Sequence, residues 1–393
     1  MKASVFLKKY TMVIALVVVF IFFTVLTGGK MIYAQNISNL LLQNAYVLIM
    51  ACGMLLCILT GGNVDLSIGS TLCLSGALAA KLLESGAGPV VAILVPLAVG
   101  AVIGVIQGYL IGYVHIPPFI CTLAGMFLFR GAARVVLDSR TISVSHEGFT
   151  NMFTSYISIP GLDRAADANT GTEPLYISAL IVGIIVAVGI TAWTFISMGR
   201  KKARGYDTGS IIGKVVRLVV IDTLIVLYSV CLMQYKGIPV MVLWILGVVL
   251  IFAFITSSTV FGRYFYAVGG NEKATKLSGI DPRKVYFWAY FLMSFLAGLS
   301  GLLVGARIGS VDGNMGNTYE MDAIASCFIG GASAYGGSGT VPGVMVGAIL
   351  LGVINQGMSI YGLPDMWQYV VKGLVLLVAV VFDVVSNHKT GKS

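Results

Sequence analysis

Residues 263–284 read RYFYAVGGNEKATKLSGIDPRK, a polar and basic island between two strongly apolar segments. A turn between two membrane helices needs only a few residues. Gly269-Gly270-Asn271 forms a break able to cap a helix, Glu272 to Leu277 predicts one short helix, and Ser278-Gly279 with Asp281-Pro282 ends it. Two readings stand on pattern alone. One is a solvated loop carrying ordinary inner-face charge. The other is an element that projects from the membrane and is gripped by a soluble partner.

Outward from this island, the chain is membrane. Of its 393 residues, 58% are hydrophobic and 10% charged, a balance outside soluble globular composition. The net charge of +9 does not point to nucleic acid, because loop lysines and arginines that fix orientation account for it. The six cysteines lie inside apolar segments and read as reduced packing residues, and the three histidines are too scattered for a metal site. Lys2, Lys8 and Lys9 precede an apolar run with no convincing cleavage site, which predicts a retained first helix.

The expected fold is all-α, a polytopic bundle of about 10–12 transmembrane helices. Twelve segments are expected near 12–27, 40–60, 66–83, 89–113, 117–137, 175–197, 216–234, 239–256, 285–308, 319–335, 340–361 and 366–384. The basic residues of the N-terminal tail, of 198–217, of 263–284 and of the C-terminal tail then fall on one side, the cytoplasmic one. The long 138–174 segment, with Asp138, Glu147, Asp163, Asp167 and Glu173, falls on the other. The chain divides into 1–39 (tail, first helix and outer turn), a first repeat unit 40–137, an outer loop 138–174 and connecting helices 175–256. The cytoplasmic loop 257–284, a second repeat unit 285–384 and a tail 385–393 follow.

The two units share a weak pattern. VDLSIGS (64–70) and MDAIAS (321–326) each open a small-residue helix, a glycine-rich span follows, and each then reaches Arg130-Gly131 or Lys372-Gly373. By the segment count the repeat is inverted, with broken helices at Gly-rich joints. That arrangement places a transport path at the repeat interface.

Acids inside membrane segments are costly and mark a pathway or an ion pair. Asp65, Glu320 and Asp322, with Asn63, Ser67, Asn314 and Asn317, are therefore candidates to line a route for a hydroxylated solute. The alternative is structural, with Asp65 and Asp322 capping broken helices. Arg130 and Lys372 are candidate ion-pair bases, and Lys372 is expected to snorkel or to pair with Asp322. GGASAYGGSGTVPG (330–343) is no nucleotide loop, because no strand precedes it and no acid follows at the dinucleotide spacing. The terminal GKS lacks the first glycine of a phosphate loop and a following helix. Gly100, Gly104, Gly108 and Gly112 predict close helix packing.

Together, TGGNVDLSIGS (60–70), YAVGGNEKATKLSGI (266–280), YEMDAIASCFIGGASAYGGSGTVPG (319–343) and WQYVVKG (367–373) resemble the membrane subunit of ribose/xylose/galactose-type sugar ABC importers. QYKGIP and LPDMWQYVVKG look most like its xylose or multiple-sugar branch. The resemblance implies a permease and not an enzyme, a homodimer in the cell inner membrane, with both termini cytoplasmic and membrane lipid around it. It implies a cytoplasmic ATPase subunit that holds the ATP and Mg, none being held by this chain. It also implies a periplasmic or lipid-anchored sugar-binding protein, and no nucleic acid. The coupling surface would be Arg263, Asn271, Glu272, Lys273, Ala274, Leu277 and Gly279. Here the sequence departs from the Glu-Ala-Ala-Arg expected in that segment, reading Glu272-Lys273-Ala274-Thr275. The rival readings are an ion-gradient-driven secondary transporter, which fits the repeat equally well, and a passive channel, for which no filter pattern is present.

Overall fold

Each apolar run predicted from the sequence contains a helix. The computed structural model describes residues 3–165, 173–203 and 211–389. In order the helices are α1 (Ala3–Leu26), α2 (Ala34–Gln43), α3 (Ala45–Leu59), α4 (Ile68–Glu84), α5 (Pro89–Gly112), α6 (Pro118–Val136), α7 (Glu147–Thr154) and α8 (Ile177–Ala203). Then come α9 (Ile211–Met233), α10 (Val240–Ser258), α11 (Val260–Gly270), α12 (Glu272–Leu277), α13 (Pro282–Ile308), α14 (Tyr319–Ile329), α15 (Val341–Tyr361) and α16 (Asp365–Lys389). Among the described residues strands are two-residue pairings only, such as Ile142–Ser143 antiparallel to Ser310–Val311. The protein is a polytopic all-α membrane protein.

Eight helical stretches among the described residues are long and apolar enough to cross a membrane. Of the twelve expected spans, those at 12–27, 66–83, 319–335 and 366–384 are not among the eight, and for 319–335 the reason is length. With 11 residues, α14 rises only about 16 Å, roughly half of a ~30 Å hydrocarbon core. The predicted segment 319–335 is thus helical only as far as Ile329. The chain before α14 is a run of turns over 313–318 that lies along α4, where the Gly316 carbonyl abuts Gly69, so non-helical backbone packed on protein accompanies the short helix.

The chain forms two compact units. One comprises 29–39 and 156–240 and contains the hairpin of α8 and α9, in which Thr191 donates to Asp222 at 2.6 Å. The other comprises the residues up to 28, 40–155 and from 241 on, and it holds the large core. Of the charges that set the predicted orientation, Lys2, Asp167, Arg204 and Lys392 lie outside the described residues. Among the described residues all six cysteines are free, and five are buried.

The inverted repeat is legible in the packing of the larger unit. α4 packs on α5 and α6, as α14 packs on α15 and α16. Between the two repeats, both within this larger unit, α13 packs on α4 and α5, while α3 packs on α14 and α15. Leu59, at the end of α3, meets Gly337, in the turn between α14 and α15, through a Gly337 N–H to Leu59 carbonyl bond of 3.0 Å. Tyr46, at the start of α3, meets Asp322 at the start of α14. α3 and α14 therefore run the same way. α5 is antiparallel to α13, with Gly100 beside Gly298 and Gly112 beside Arg283. A Cβ at Gly104 would lie 2.8 Å from the Phe291 backbone, so the glycine stripe exists to bring these two helices together. α4 and α13 end beside each other, where 138–143 ties both down through Lys81–Asp138, Arg140–Glu84 and the strand pair to 310–311. Helices α3 to α6 thus alternate in direction, and α13 to α16 alternate in the opposite sense.

Candidate functional site

At one end of this unit stands the polar island. α11 closes where the Asn271 backbone becomes extended, and the Asn271 side chain accepts from Ala274 N–H at 2.9 Å, capping α12. Thr275 is the buried residue of α12, and its hydroxyl donates to the carbonyls of Ala267 and Asn271, both at 2.8 Å. Gly279, at φ +86°, turns the chain out of the helix, and Asp281 caps α13 by accepting from Arg283 N–H at 3.1 Å. Glu272 is fixed from the side by the Tyr286 hydroxyl at 3.0 Å. Lys273, Ala274, Lys276 and Leu277 face outward, and Leu277 is 90% exposed. Arg263 is exposed one helix earlier, on α11.

Beneath α12 the backbone is in direct contact with the core. A Cβ at Gly269 would land on the Leu59 carbonyl oxygen and 2.5 Å from Gly337 N, whereas Gly270 has open space. The end of α3, the turn between α14 and α15, and the root of α12 therefore meet backbone to backbone. A cavity of about 190 Å³ beside them is lined by Asn63, His115, Glu272 and Tyr286.

In the core above, Asp65 Oδ1 accepts from the Ser67 N–H at 2.8 Å and the Ser67 hydroxyl at 2.7 Å. Asp65 thus closes a turn before α4, and Ser67 is the N-cap residue of that helix. Ser67 continues to Gln107 on α5 at 2.9 Å, and Ser294 on α13 donates to Gln107 at 3.2 Å. Gly69, two residues further, abuts the carboxylate of buried Glu320. Glu320 lines a second 190 Å³ cavity with Arg130, Arg134, Asn314 and Asn317. Asn314 and Asn317 also line a cavity of about 540 Å³ at the far end, with Asp312, Tyr319 and Tyr369. The sequence-predicted polar residues thus form one file. Asn63 is at the α12 end, Asp65 and Ser67 are in the core, and Glu320, Asn314 and Asn317 are toward the other end.

Two structural expectations need correction. Asp322 is no helix cap. Its Oδ2 accepts from Lys372 Nζ at 2.9 Å and from the Tyr46 hydroxyl at 2.7 Å, tying α14 to α16 and α3. Arg130 pairs with no carboxylate among the described residues. Its guanidinium donates to the Met315 carbonyl at 2.6 Å and holds the run of turns before α14.

Residues 36–380 match the family described as the branched-chain amino acid transport system / permease component. The chain belongs to this permease family. It is 35% identical over 388 residues to the xylose transport system permease protein of Haemophilus influenzae (strain ATCC 51907 / DSM 11121 / KW20 / Rd), covering 98% of both chains. It is 33% identical over 389 residues to the protein of that name from Escherichia coli (strain K12), covering 98% of this chain and 94% of the relative. The ribose import permease protein of the same strain is 32% identical over 350 residues, covering 89% of this chain and 85% of that one. No solved structure matches. The permease families resembled at the sequence level and matched by comparison agree, and none of these relatives is described as an enzyme.

Sequence reasoning missed Tyr46, Gln107, Tyr286, Ser294, Tyr319 and Tyr369. One signal was available. Tyr319 and Asp322 on α14, and Tyr369 and Lys372 on α16, are each three residues apart, so each charge shares a helix face with a tyrosine.

Proposed function

We propose that this chain is the permease subunit of an ABC importer that carries a monosaccharide, a pentose such as xylose or a hexose, across the inner membrane. The ATPase, with its ATP and Mg, is a separate cytoplasmic chain that grips α12. A periplasmic or lipid-anchored sugar-binding protein loads the opposite face. The permease works as a homodimer with lipid around it and with both termini in the cytoplasm. One observation carries this reading: α12 is rigidly capped and rooted in the core, yet holds Leu277 almost fully in the open. An apolar side chain displayed on a charged element suits a groove on a soluble protein. The file of polar residues between the two ends supports a route for a hydroxylated solute, and the full-length likeness to xylose and ribose permeases supports a sugar. An ATPase moving against α12 can bias two states of the bundle only through contacts that differ between them.

The test is Leu277→Asp in the complex reconstituted from permease, ATPase and loaded binding protein. The variant should fold normally, since the side chain touches solvent, while ATP-driven sugar uptake falls at least tenfold. Uptake by the purified permease without any ATPase would refute the reading in favour of a gradient-driven carrier.

A further inference from the structure

The far-end cavity is built as a rigid, uncharged-solute site. At about 540 Å³ it falls in the range of small-molecule pockets, roughly 300–1,000 Å³. Asn317 is exposed, and its side-chain amide has no partner within the described residues, leaving both donor and acceptor free. Asp312 spends Oδ1 on the Asn314 N–H at 2.8 Å and keeps its other oxygen available. Two tyrosines supply broad amphipathic walls, Tyr319 from α14 and Tyr369 from α16.

Those walls are held at a fixed separation. Tyr319 stacks on Tyr46 with ring centroids 3.7 Å apart and planes 17° apart. The Tyr46 hydroxyl binds Asp322, and Asp322 binds Lys372. Because Asp322 lies one turn beyond Tyr319 and Lys372 one turn beyond Tyr369, the buried ion pair fixes the distance between the two rings. The lining contains one carboxylate and neutral amides and hydroxyls, with neither Lys nor Arg. The Arg134 guanidinium lines the adjoining cavity and donates to Asn314 Oδ1 at 3.3 Å. Arg307, next in sequence to the lining residue Ile308, acts electrostatically on Tyr319 from outside the lining, so an amino acid's carboxylate would find cations only at the margin of the cavity. A polyol would find acceptors and donors for its hydroxyls and flat rings for its C–H faces.

We propose that this cavity is itself a monosaccharide-binding site, with the Asp322–Lys372 pair as a positioning element that sets its aromatic walls. The inference rests on the sugar-importer reading, and it makes the permease a second point of sugar recognition besides the binding protein.

The experiment is saturation-transfer NMR on the full chain in lipid nanodiscs, with D-xylose and L-leucine as probes. Wild type should transfer to the C–H protons of D-xylose and not to L-leucine. Asn317→Ala and Tyr369→Ala, both at exposed positions, should each cut the D-xylose signal at least threefold, and Thr150→Ala, outside the cavity, should leave it unchanged. Lys372→Met should also cut it at least threefold, and Lys372→Arg, which keeps the charge beside Asp322, should restore it; a signal still lost in Lys372→Arg protein that melts like wild type would overturn the positioning role. No D-xylose transfer, equal transfer to L-leucine, or a signal indifferent to Asn317→Ala and Tyr369→Ala would each overturn the site. ATP-driven uptake by the assembled importer is measured alongside. Uptake without binding removes this inference alone, whereas binding without uptake removes the importer reading and keeps the site.

Discussion

Replacing Lys372 with Met should be among the most destabilising single changes at any charged residue of this protein. The Asp322 side chain is 2% exposed and that of Lys372 16% exposed, with 2.9 Å between Nζ and Oδ2. Removing the ammonium leaves a nearly buried carboxylate with the Tyr46 hydroxyl at 2.7 Å as its remaining side-chain partner. Breaking a buried pair from one side costs about 3–5 kcal/mol, because an uncompensated charge remains. Lys372→Met should lie near the upper figure. Asp322→Asn should lie near the lower one, because a partly exposed lysine can relax outward along its own stem. The double variant removes both charges and should cost about 1 kcal/mol, in keeping with the small net worth of buried pairs against apolar replacements. The coupling is then about 7 kcal/mol, above the roughly 0.5–3 kcal/mol usual for residues in contact, because each single change strands a charge that the double change removes. Reversible unfolding of the purified permease, followed by steric trapping in bicelles, measures all three. A double variant as costly as the two singles added together would show that the charges do not act as a pair. A reversed pair, Asp322→Lys with Lys372→Asp, no milder than either single change would lead to the same conclusion.

Gly269→Ala should cost at least about 2 kcal/mol, since the new methyl meets backbone that cannot move aside, while Gly270→Ala should be nearly silent; the two melting curves compared in detergent decide it. The Lys81 hydrogen bond to Asp138 and its charge hold that carboxyl below its ordinary range. A depressed folded-state pKa stabilises above the unfolded value of about 3.9 and is lost as pH falls through the folded one. Asp138→Asn should therefore lower the melting temperature slightly at pH 7 and by less at pH 3, and an equal difference at both would contradict the pairing.

The parts legible in sequence were those whose causes are local. Asn271, Gly279 and Asp281 set the ends of α12 through bonds to residues two to four positions away, so the helix was predicted to within its observed bounds. Asp322 and Lys372 stood out because charge is costly in an apolar segment, and few partners were available at their depth. Arg130 stood out for the same reason and misled, because its partner is a main-chain carbonyl 185 positions away. Every residue has such a carbonyl, so no pattern of residue types could mark it. The half-length of α14 was hidden likewise. FIGGAS continues an apolar run, and the non-helical backbone at Gly316 packed on Gly69 has no counterpart in that pattern.

The two ends of the larger unit are joined by α3. At one end the Leu59 carbonyl of α3 and the Gly337 amide beyond α14 sit against Gly269, the root of α12. At the other end, α3 presents Tyr46 and α14 presents Tyr319 and Asp322, which stack and bond to form a wall of the 540 Å³ cavity. α3 spans about 22 Å from its rise per residue and is buried on every side, so it cannot bend away a push at Leu59 without disturbing the core. A displacement of α12 by a partner thus has a stiff path to the aromatic wall, and the contact at Gly269 leaves it little slack. The physical warrant for coupling is an element whose two arrangements both sites bias. α3 meets the geometric half of that requirement, because one end of it abuts Gly269 just before α12 and the other carries Tyr46, stacked on the cavity wall Tyr319.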